Sequence, residues 1–266
     1  MLFAIFALVK CDQINEGSQN VTSRGERIVY GLTAAPNQFS HHVLVIVNAD
    51  LRSNGALINN LWVLVHANIA RRFERHAYMY MGSNNRETMP VVRYSIQVVW
   101  PPTFDQATFR DAISLVRMNT PVQFSANLNP IALPSGQQRT NLYMNTVLRV
   151  SGFGEDKSGA EARELQFTDV ISTSDANCRA MYGQIFPFNG FSPSIFCMRG
   201  YPNALQGLCG NDATAPLITR EQNPVLVGFG LFLNRPLCSD KPTGYLRVGP
   251  YVDWINTWIG NSHGNY

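Results

Sequence analysis

The sequence predicts an all-β fold, a sandwich or a pair of barrels, with one helix at its C-terminal end. Runs rich in Val, Ile, Tyr and Phe recur at short intervals between Gly, Pro and Asn, which is the pattern of short antiparallel strands. The runs are residues 42–47, 62–66, 77–81, 91–100, 112–118, 148–152, 225–232 and 244–248. Such spacing over 266 residues is typical of sandwiches and barrels.

The final segment has a different period. Its large apolar residues recur at helical spacing and therefore share one helix face: Tyr251, Trp254, Ile255 and Trp258. Pro250 precedes them and Gly260 follows, as these residues commonly do at helix ends. We expect an amphipathic helix packed on the β-body.

The composition excludes several classes of protein. With 45% hydrophobic and 15% charged residues, the chain is too apolar to be disordered. A net charge of +3 is too small to indicate nucleic acid or an anionic membrane as a partner. The basic segment 71–76 (Arg-Arg-Phe-Glu-Arg-His) is a solvated loop in the simplest interpretation, and a contact for an anionic partner in the alternative.

The N-terminal residues indicate secretion. The apolar run 1–9 is far shorter than the roughly 20 residues that span a bilayer, and it resembles the centre of a signal peptide. A buried N-terminal strand is the alternative. We interpret residues 1–11 as the signal peptide and the polar residues 12–27, with the sequon at Asn20, as a propeptide-like segment. The expected localisation is extracellular.

Five cysteines are present, and Cys11 falls in the leader. The others allow three pairings, which the sequence alone does not choose between: they are Cys178, Cys197, Cys209 and Cys238. Secretion makes two disulfides the default.

Six short segments occur in a fixed order between residues 27 and 259. They are Arg-Ile-Val-Tyr-Gly at 27–31, Asn-Gly-Ala-Leu-Ile to Trp-Val-Leu at 54–64, Arg-Asp-Ala-Ile-Ser-Leu at 110–115, Ser-Gly-Phe-Gly at 151–154, Cys-Gly-Asn-Asp-Ala-Thr-Ala-Pro-Leu at 209–217, and Tyr-Leu-Arg-Val with the terminal helix from 245. Together they resemble the chymotrypsin/trypsin-like serine proteases, in the form secreted by arthropods.

The resemblance implies one protease domain over residues 28–259. Its fold is two six-stranded antiparallel β-barrels, here at about 28–133 and 134–250, with a C-terminal α-helix and a cleft between the barrels. It implies the disulfides Cys178–Cys197 and Cys209–Cys238. The first-barrel disulfide of that family is absent, with Ser53 and Ile69 at its positions. No cofactor and no metal are implied.

The positions that resemble the catalytic triad lack its chemistry. A serine attacks, a histidine accepts its proton and an aspartate orients the histidine. By resemblance the base position holds Asn68, the orienting position Asp111 and the nucleophile position Ala213. An amide has no pKa near neutrality and a methyl group forms no covalent intermediate, so only Asp111 remains.

Neighbouring residues offer no obvious replacement. His66 precedes the base position by two residues, which on a strand displaces it by roughly 6–7 Å, so we interpret it as a core histidine. Thr214 follows the nucleophile position, and its side chain is expected to point elsewhere. An imidazole and a hydroxyl within hydrogen-bonding reach of each other in the cleft would contradict this prediction of inactivity.

The substrate-binding positions are altered as well. The resemblance places Leu231, Phe232 and Leu233 on one wall of the specificity pocket, Thr243 on another and Gly207 on its floor. Leu233 and Thr243 replace usual glycines and are expected to fill the pocket. At the oxyanion hole Asn211 replaces glycine, and the backbone N–H groups of Asn211 and Ala213 remain.

The activation switch is retained. Arg27 and Ile28 match the cleavage junction, and Asp212 matches the aspartate that pairs with the freed amino group of Ile28. Either the switch still works, or Asp212 is inherited passively and bonds to backbone.

The sequence therefore predicts a secreted, catalytically inactive serine protease homologue, a pseudoprotease. We expect a monomer that binds a protein, such as a protease, a protease substrate or a defence factor. An active endopeptidase with an unorthodox site is the alternative, and a carrier of a small ligand in the residual cleft is a third, weaker one.

Overall fold

The structure is a computed structural model that describes residues 31–48, 51–73, 75–154, 162–174, 176, 178, 194–202, 214–232 and 242–260. A short strand, β1 (Leu32–Thr33), precedes the first barrel. That barrel contains β2 (His42–Ile46), β3 (Arg52–Leu57), β4 (Trp62–His66), β5 (Tyr78–Met81), β6 (Val91–Val99) and β7 (Ile113–Met118). The strands pair antiparallel in the order β2-β3-β4-β7-β6-β5, and β5 closes the barrel on β2.

The second barrel contains β8 (Val147–Gly152), β9 (Gln166–Ser172), β10 (Ile195–Tyr201), β11 (Pro216–Ile218), β12 (Leu226–Phe232) and β13 (Thr243–Arg247). Its order is β9-β10-β13-β12-β11-β8, and pairing of β8 with β9 closes it. β1 pairs antiparallel with β9 of this barrel, with Leu32 opposite Phe167.

Helices occupy little of the described chain. α1 (Ala67–Ala70) follows β4 directly, and 3-10 turns cover Gly136–Arg139 and Gly249–Tyr251. The second 3-10 turn leads into α2 (Val252–Gly260), which confirms the terminal helix, and its Ile255 is fully buried. No helix within the described residues is long and apolar enough to cross a membrane.

Three apolar cores hold the fold together. One fills the first barrel and includes Val65, Met79, Val116 and Met118, and another fills the second barrel and includes Val150, Phe196 and Tyr245. The third, which we call the joining core, lies where the barrels and α2 meet and includes Leu44, Leu64, Phe153, Phe229 and Ile255. Burial of both faces of most strands explains their high apolar content.

The predicted double-barrel architecture is confirmed, and each of the eight predicted strands exists within a residue or two of its expected bounds. The listing of strands by apolar runs omitted β1, β3, β9, β10 and β11. The assignments of residues 1–11 and 12–27 lie outside the described residues and stay predictions.

Candidate functional site

β4 and β7 bring two of the triad-like positions together. His66 lies opposite Ile113 in this antiparallel pair, and the Ala67 N–H extends the ladder by donating to the Ala112 carbonyl at 2.9 Å. Asn68 and Asp111 are the next residues on either side, so they leave the same end of the ladder as neighbours. The third position, Ala213, lies outside the described residues, as do Asn211 and Asp212.

Asn68 is the second residue of the short helix α1 and does not continue a strand. Its backbone N–H donates to Nδ1 of His66 at 3.1 Å, which caps the helix. The Asn68 side-chain oxygen Oδ1 is buried and accepts no hydrogen bond from a described residue. An amide oxygen accepts a hydrogen bond but does not become protonated near neutral pH, so this side chain provides no general base.

Asp111 is held by a partner that the sequence did not indicate. Its φ is 52°, a left-handed conformation that aspartate tolerates better than most residues. The Tyr251 hydroxyl donates to Asp111 Oδ1 at 2.7 Å across 140 residues. Burial, reinforced by Asp111, raises the pKa of Tyr251 well above its usual range, so the hydroxyl remains a donor. From its helical spacing, Tyr251 was expected only to pack on the apolar face of the helix.

His66 is buried, as expected, but the prediction that residues 66 and 68 lie on one strand is wrong. β4 ends at His66 and α1 begins at once, so residues 66 and 68 are not two steps along one strand. The ring lies edge-on to Phe109 at 6.2 Å, and its Nε2 bonds to no described residue. Burial lowers the pKa of His66 to about 4, which keeps it neutral at pH 7.

A buried polar network connects the two barrels. His42 Nε2 lies 3.0 Å from Asn54 Oδ1, and His42 Nδ1 lies 3.1 Å from Ser151 Oγ. With Nε2 protonated and donating to Asn54, Nδ1 accepts the proton of the Ser151 hydroxyl. His42 and Asn54 belong to the first barrel and Ser151 to the second, so the imidazole bridges them.

This network continues to residue 214. Thr214 Oγ1 accepts from the Asn54 N–H at 3.0 Å and lies 2.6 Å from Ser53 Oγ. The Thr214 hydroxyl is therefore engaged with the first barrel, beside the expected nucleophile position. The sequence did not predict these contacts, and those that join the two barrels connect residues 109 to 161 positions apart.

An imidazole and a hydroxyl thus do lie within hydrogen-bonding reach, although not in an open cleft. His42 and Ser151 are 4% and 1% exposed, and burial lowers the pKa of His42 to about 4. A serine beside a histidine is the arrangement that activates a nucleophile, but it also needs access to a carbonyl carbon. The surrounding side chains shield this pair from a peptide substrate.

The described part of the specificity-pocket region consists of β12 and the start of β13. Leu231 is buried in the joining core and Thr243 is buried opposite Met198. Phe232 ends β12, whereas Leu233 and Gly207 lie outside the described residues.

The Cys178–Cys197 disulfide that the resemblance implied is present, with a Cα–Cα distance of 5.9 Å. Cys209, Cys238, Arg27 and Ile28 lie outside the described residues, so the second disulfide and the activation switch stay predictions.

Two closed antiparallel barrels, a terminal helix and an aspartate at their junction define the chymotrypsin-like class of fold. The family model described as "Trypsin" matches residues 28–255, and the chain belongs to this family of serine proteases.

Similar proteins agree with that assignment. A collagenase of Hypoderma lineatum is 28% identical over 89% of this chain and 89% of its own length. The serine protease SP24D of Anopheles gambiae is 27% identical over 88% and 82%, and trypsin II-P29 of Gallus gallus is 29% identical over 88% and 90%. A solved structure, HL collagenase, superposes with a TM-score of 0.76 at 25% identity, covering 88% of this chain and 99% of that one.

Proposed function

We propose that this member of the trypsin family is a secreted, catalytically inactive homologue that acts by binding a protein, as a decoy, cofactor or regulator of proteolysis or defence. The observation that carries the proposal is Asn68 at the end of the β4–β7 ladder beside Asp111. A family enzyme needs a proton acceptor there, and Asn68 offers only an amide.

Two further features support the loss of hydrolysis. The sequence has Ala213 at the nucleophile position, so no oxygen is available there to attack. Asp111, which would orient a histidine in an active relative, receives the Tyr251 hydroxyl instead. The apolar N-terminus supports secretion.

Hydrolysis at another site is the second candidate, because the similar proteins are named as a collagenase, a serine protease and a trypsin. It would require a nucleophile outside the usual position. The His42–Ser151 pair has the right chemistry, so it is the position to test.

The experiment is to treat the purified full chain with a serine-reactive fluorophosphonate probe and a broad peptide library, with trypsin as the positive control. We expect neither labelling nor turnover. Labelling that is lost in Ser151→Ala would assign hydrolysis to the buried pair and overturn the proposal. The double substitution Asn68→His and Ala213→Ser tests the specificity pocket separately. We expect no turnover, because the resemblance predicts that Leu233 and Thr243 fill this pocket.

The binding role is tested by surface plasmon resonance with the immobilised chain. Active serine proteases and their protein substrates are passed over it, and we expect saturable binding to at least one of them. A flat response to both groups would contradict the proposed role in proteolysis.

A further inference from the structure

The outer surface of the first barrel is covered on four of its six strands. The outward side chains of β2, β3, β4 and β7 are buried in the joining core, as Leu44, Ala56, Leu64 and Leu115 show. β5 and β6 lie on the side that faces solvent. An antiparallel sheet with one wet face normally alternates apolar inward and polar outward residues.

β5 and β6 depart from that alternation. Inward residues such as Met79 and Met81 are buried, yet the exposed positions are also apolar. Tyr78 is 48% exposed, Val92 40%, Tyr94 39% and Ile96 46%. We call these four side chains the β5–β6 apolar face.

The four side chains form one patch. Tyr78 lies directly opposite Tyr94 in the β5–β6 register, where side chains of paired strands are in contact range. Val92 is two residues from Tyr94 and so points to the same side. Ile96 stands at the register shift between Ser95 and Gln97 and extends the patch along β6. A contiguous exposed apolar patch with a polar rim is typical of an interaction site.

One rim of the patch is the end of the basic segment 71–76. The His76 ring packs against Tyr94 with 5.0 Å between centroids, and its Nδ1 lies 2.8 Å from the Ser95 carbonyl oxygen. These contacts fix the segment beside the β5–β6 apolar face. Arg75, which precedes His76, is exposed and forms no ion pair with a described residue. The same is true of Arg71 and Arg72.

A second cation, Arg93, lies within β6, but it pairs with the inward residue Met79 and so points away from the β5–β6 apolar face. The Arg93 guanidinium donates to the carbonyls of Val92, Thr120 and Pro121 at 2.8, 3.2 and 3.3 Å. Carbonyl oxygens hold a guanidinium in place without neutralising its charge. Arg93 is therefore held away from the patch, and the positive charge beside the apolar side chains is that of the exposed Arg75 at the rim.

We propose that the β5–β6 apolar face docks a segment of a partner protein in which apolar side chains alternate with carboxylates. Apolar residues of that segment would cover Tyr78, Tyr94 and Ile96, and its carboxylates would meet Arg75 at the rim. A second copy of this chain, related by two-fold symmetry through the same face, would bring like charges together, which disfavours it. The proposal names the surface and partner chemistry for the binding role and rests on that proposed function.

The experiment measures fluorescence anisotropy of labelled peptides with the full chain. One library alternates Phe, Ile or Leu with Glu or Asp, a second replaces the acids with Lys, and a third replaces the apolar residues with Ser. We expect binding in the first library at least tenfold tighter than in the other two. Tyr94→Ser with Ile96→Ser should weaken it at least tenfold, and Arg75→Glu should weaken it and reduce its salt dependence.

Matched controls lie on the second barrel and in the loop before it. Leu142→Ser removes an equally exposed apolar side chain and Arg199→Glu reverses an exposed charge there. Both should leave peptide affinity unchanged, and circular dichroism shows that every variant is folded. Equal weakening by these controls would overturn the assignment of the surface.

Other outcomes also overturn it. One is that no peptide of the first library binds. Another is that the third library, anionic lipid vesicles or single-stranded RNA binds as tightly as the first library does. A third is self-association of the chain that Tyr94→Ser abolishes. Binding that persists in the patch variants rejects this surface but leaves the binding function, whereas fluorophosphonate labelling rejects the function and leaves the surface.

Discussion

The Tyr251 hydroxyl donates a 2.7 Å hydrogen bond to Asp111, so the C-terminal 3-10 turn is anchored to the end of β7 in the first barrel. Tyr251 is itself buried in the joining core. The contact gives Asp111 a structural partner from the C-terminal segment.

Tyr251→Phe should therefore destabilise the fold. A hydrogen bond to a charged group contributes roughly 1.5–3 kcal/mol, and the substitution leaves a carboxylate short of a donor. The free energy of unfolding from urea titration measures the loss. Tyr143→Phe is the control, because the Tyr143 hydroxyl reaches only a carbonyl at 3.5 Å and its loss should cost much less. Equal losses in the two variants would contradict the prediction.

Three buried histidines should make the protein sensitive to acid. Burial is the main cause that lowers the pKa of His41 to about 3 and those of His42 and His66 to about 4. Between pH 6.5 and about 4 these imidazoles bind protons in the unfolded chain but not in the folded chain, so the free energy of unfolding decreases as the pH falls. Each histidine contributes up to about 1.4 kcal/mol per pH unit in this window.

Urea unfolding at pH 7, 6, 5 and 4.5 measures that slope. His66→Gln should reduce it by about one proton equivalent. Gln97→Ala, which removes an exposed side chain and no titratable group, should keep the original slope. A stability that is flat from pH 7 to 4.5 would show that these imidazoles are accessible to protons in the folded state.

The Ser53–Thr214 contact should show energetic coupling. The two hydroxyls lie 2.6 Å apart and both are buried, so Ser53→Ala or Thr214→Val leaves the other without its partner. Thr214→Val should cost more, because the Asn54 N–H also loses its acceptor. In a double-mutant cycle the two losses should sum to more than the loss in the double variant, by about 0.5–3 kcal/mol. Simple additivity would mean that the hydroxyls do not interact.

Cleavage after Arg27 should stabilise the second barrel if the activation switch is functional. The freed amino group of Ile28 would then pair with Asp212, as the resemblance implies. Calorimetry before and after limited trypsin treatment should show a higher melting temperature, and Arg27→Gln, which blocks the cut, should show no change. An unchanged transition after complete cleavage would favour passive inheritance of Asp212.

Strands with continuous β-branched and aromatic residues could be predicted from the sequence. Strands whose pairing depends on a close approach of two backbones could not. β3 contains Arg52, Ser53, Asn54 and Gly55, which do not read as an apolar run. The strand pairs tightly because Gly55 has no side chain: a Cβ there would lie 3.0 Å from the Leu64 carbonyl oxygen and from Val63 Cγ1. That requirement is visible only when β4 is in place.

Some features of the candidate site could likewise be predicted from the sequence, and others could not. The resemblance to the protease motifs assigned Asn68 and Asp111 to two triad-like positions, and the pairing of β4 with β7 brings these two residues to the same end of the ladder. The Tyr251 partner of Asp111 and the Ser151 partner of His42 could not be predicted, since they reach their positions only through packing of one barrel on the other. The helical turn after His66 also escaped detection, because four residues carry too little periodic signal.

The pairing of β1 with β9 limits the distance that a chain end created at Ile28 could reach. Leu32 is fixed opposite Phe167, and only three residues separate it from Ile28, so the four steps between them span about 14 Å at full extension. A new amino terminus at Ile28 would therefore search a small volume around one side of the second barrel. Its effective concentration for a carboxylate in that volume would be high, and the far side of the first barrel would be out of its range.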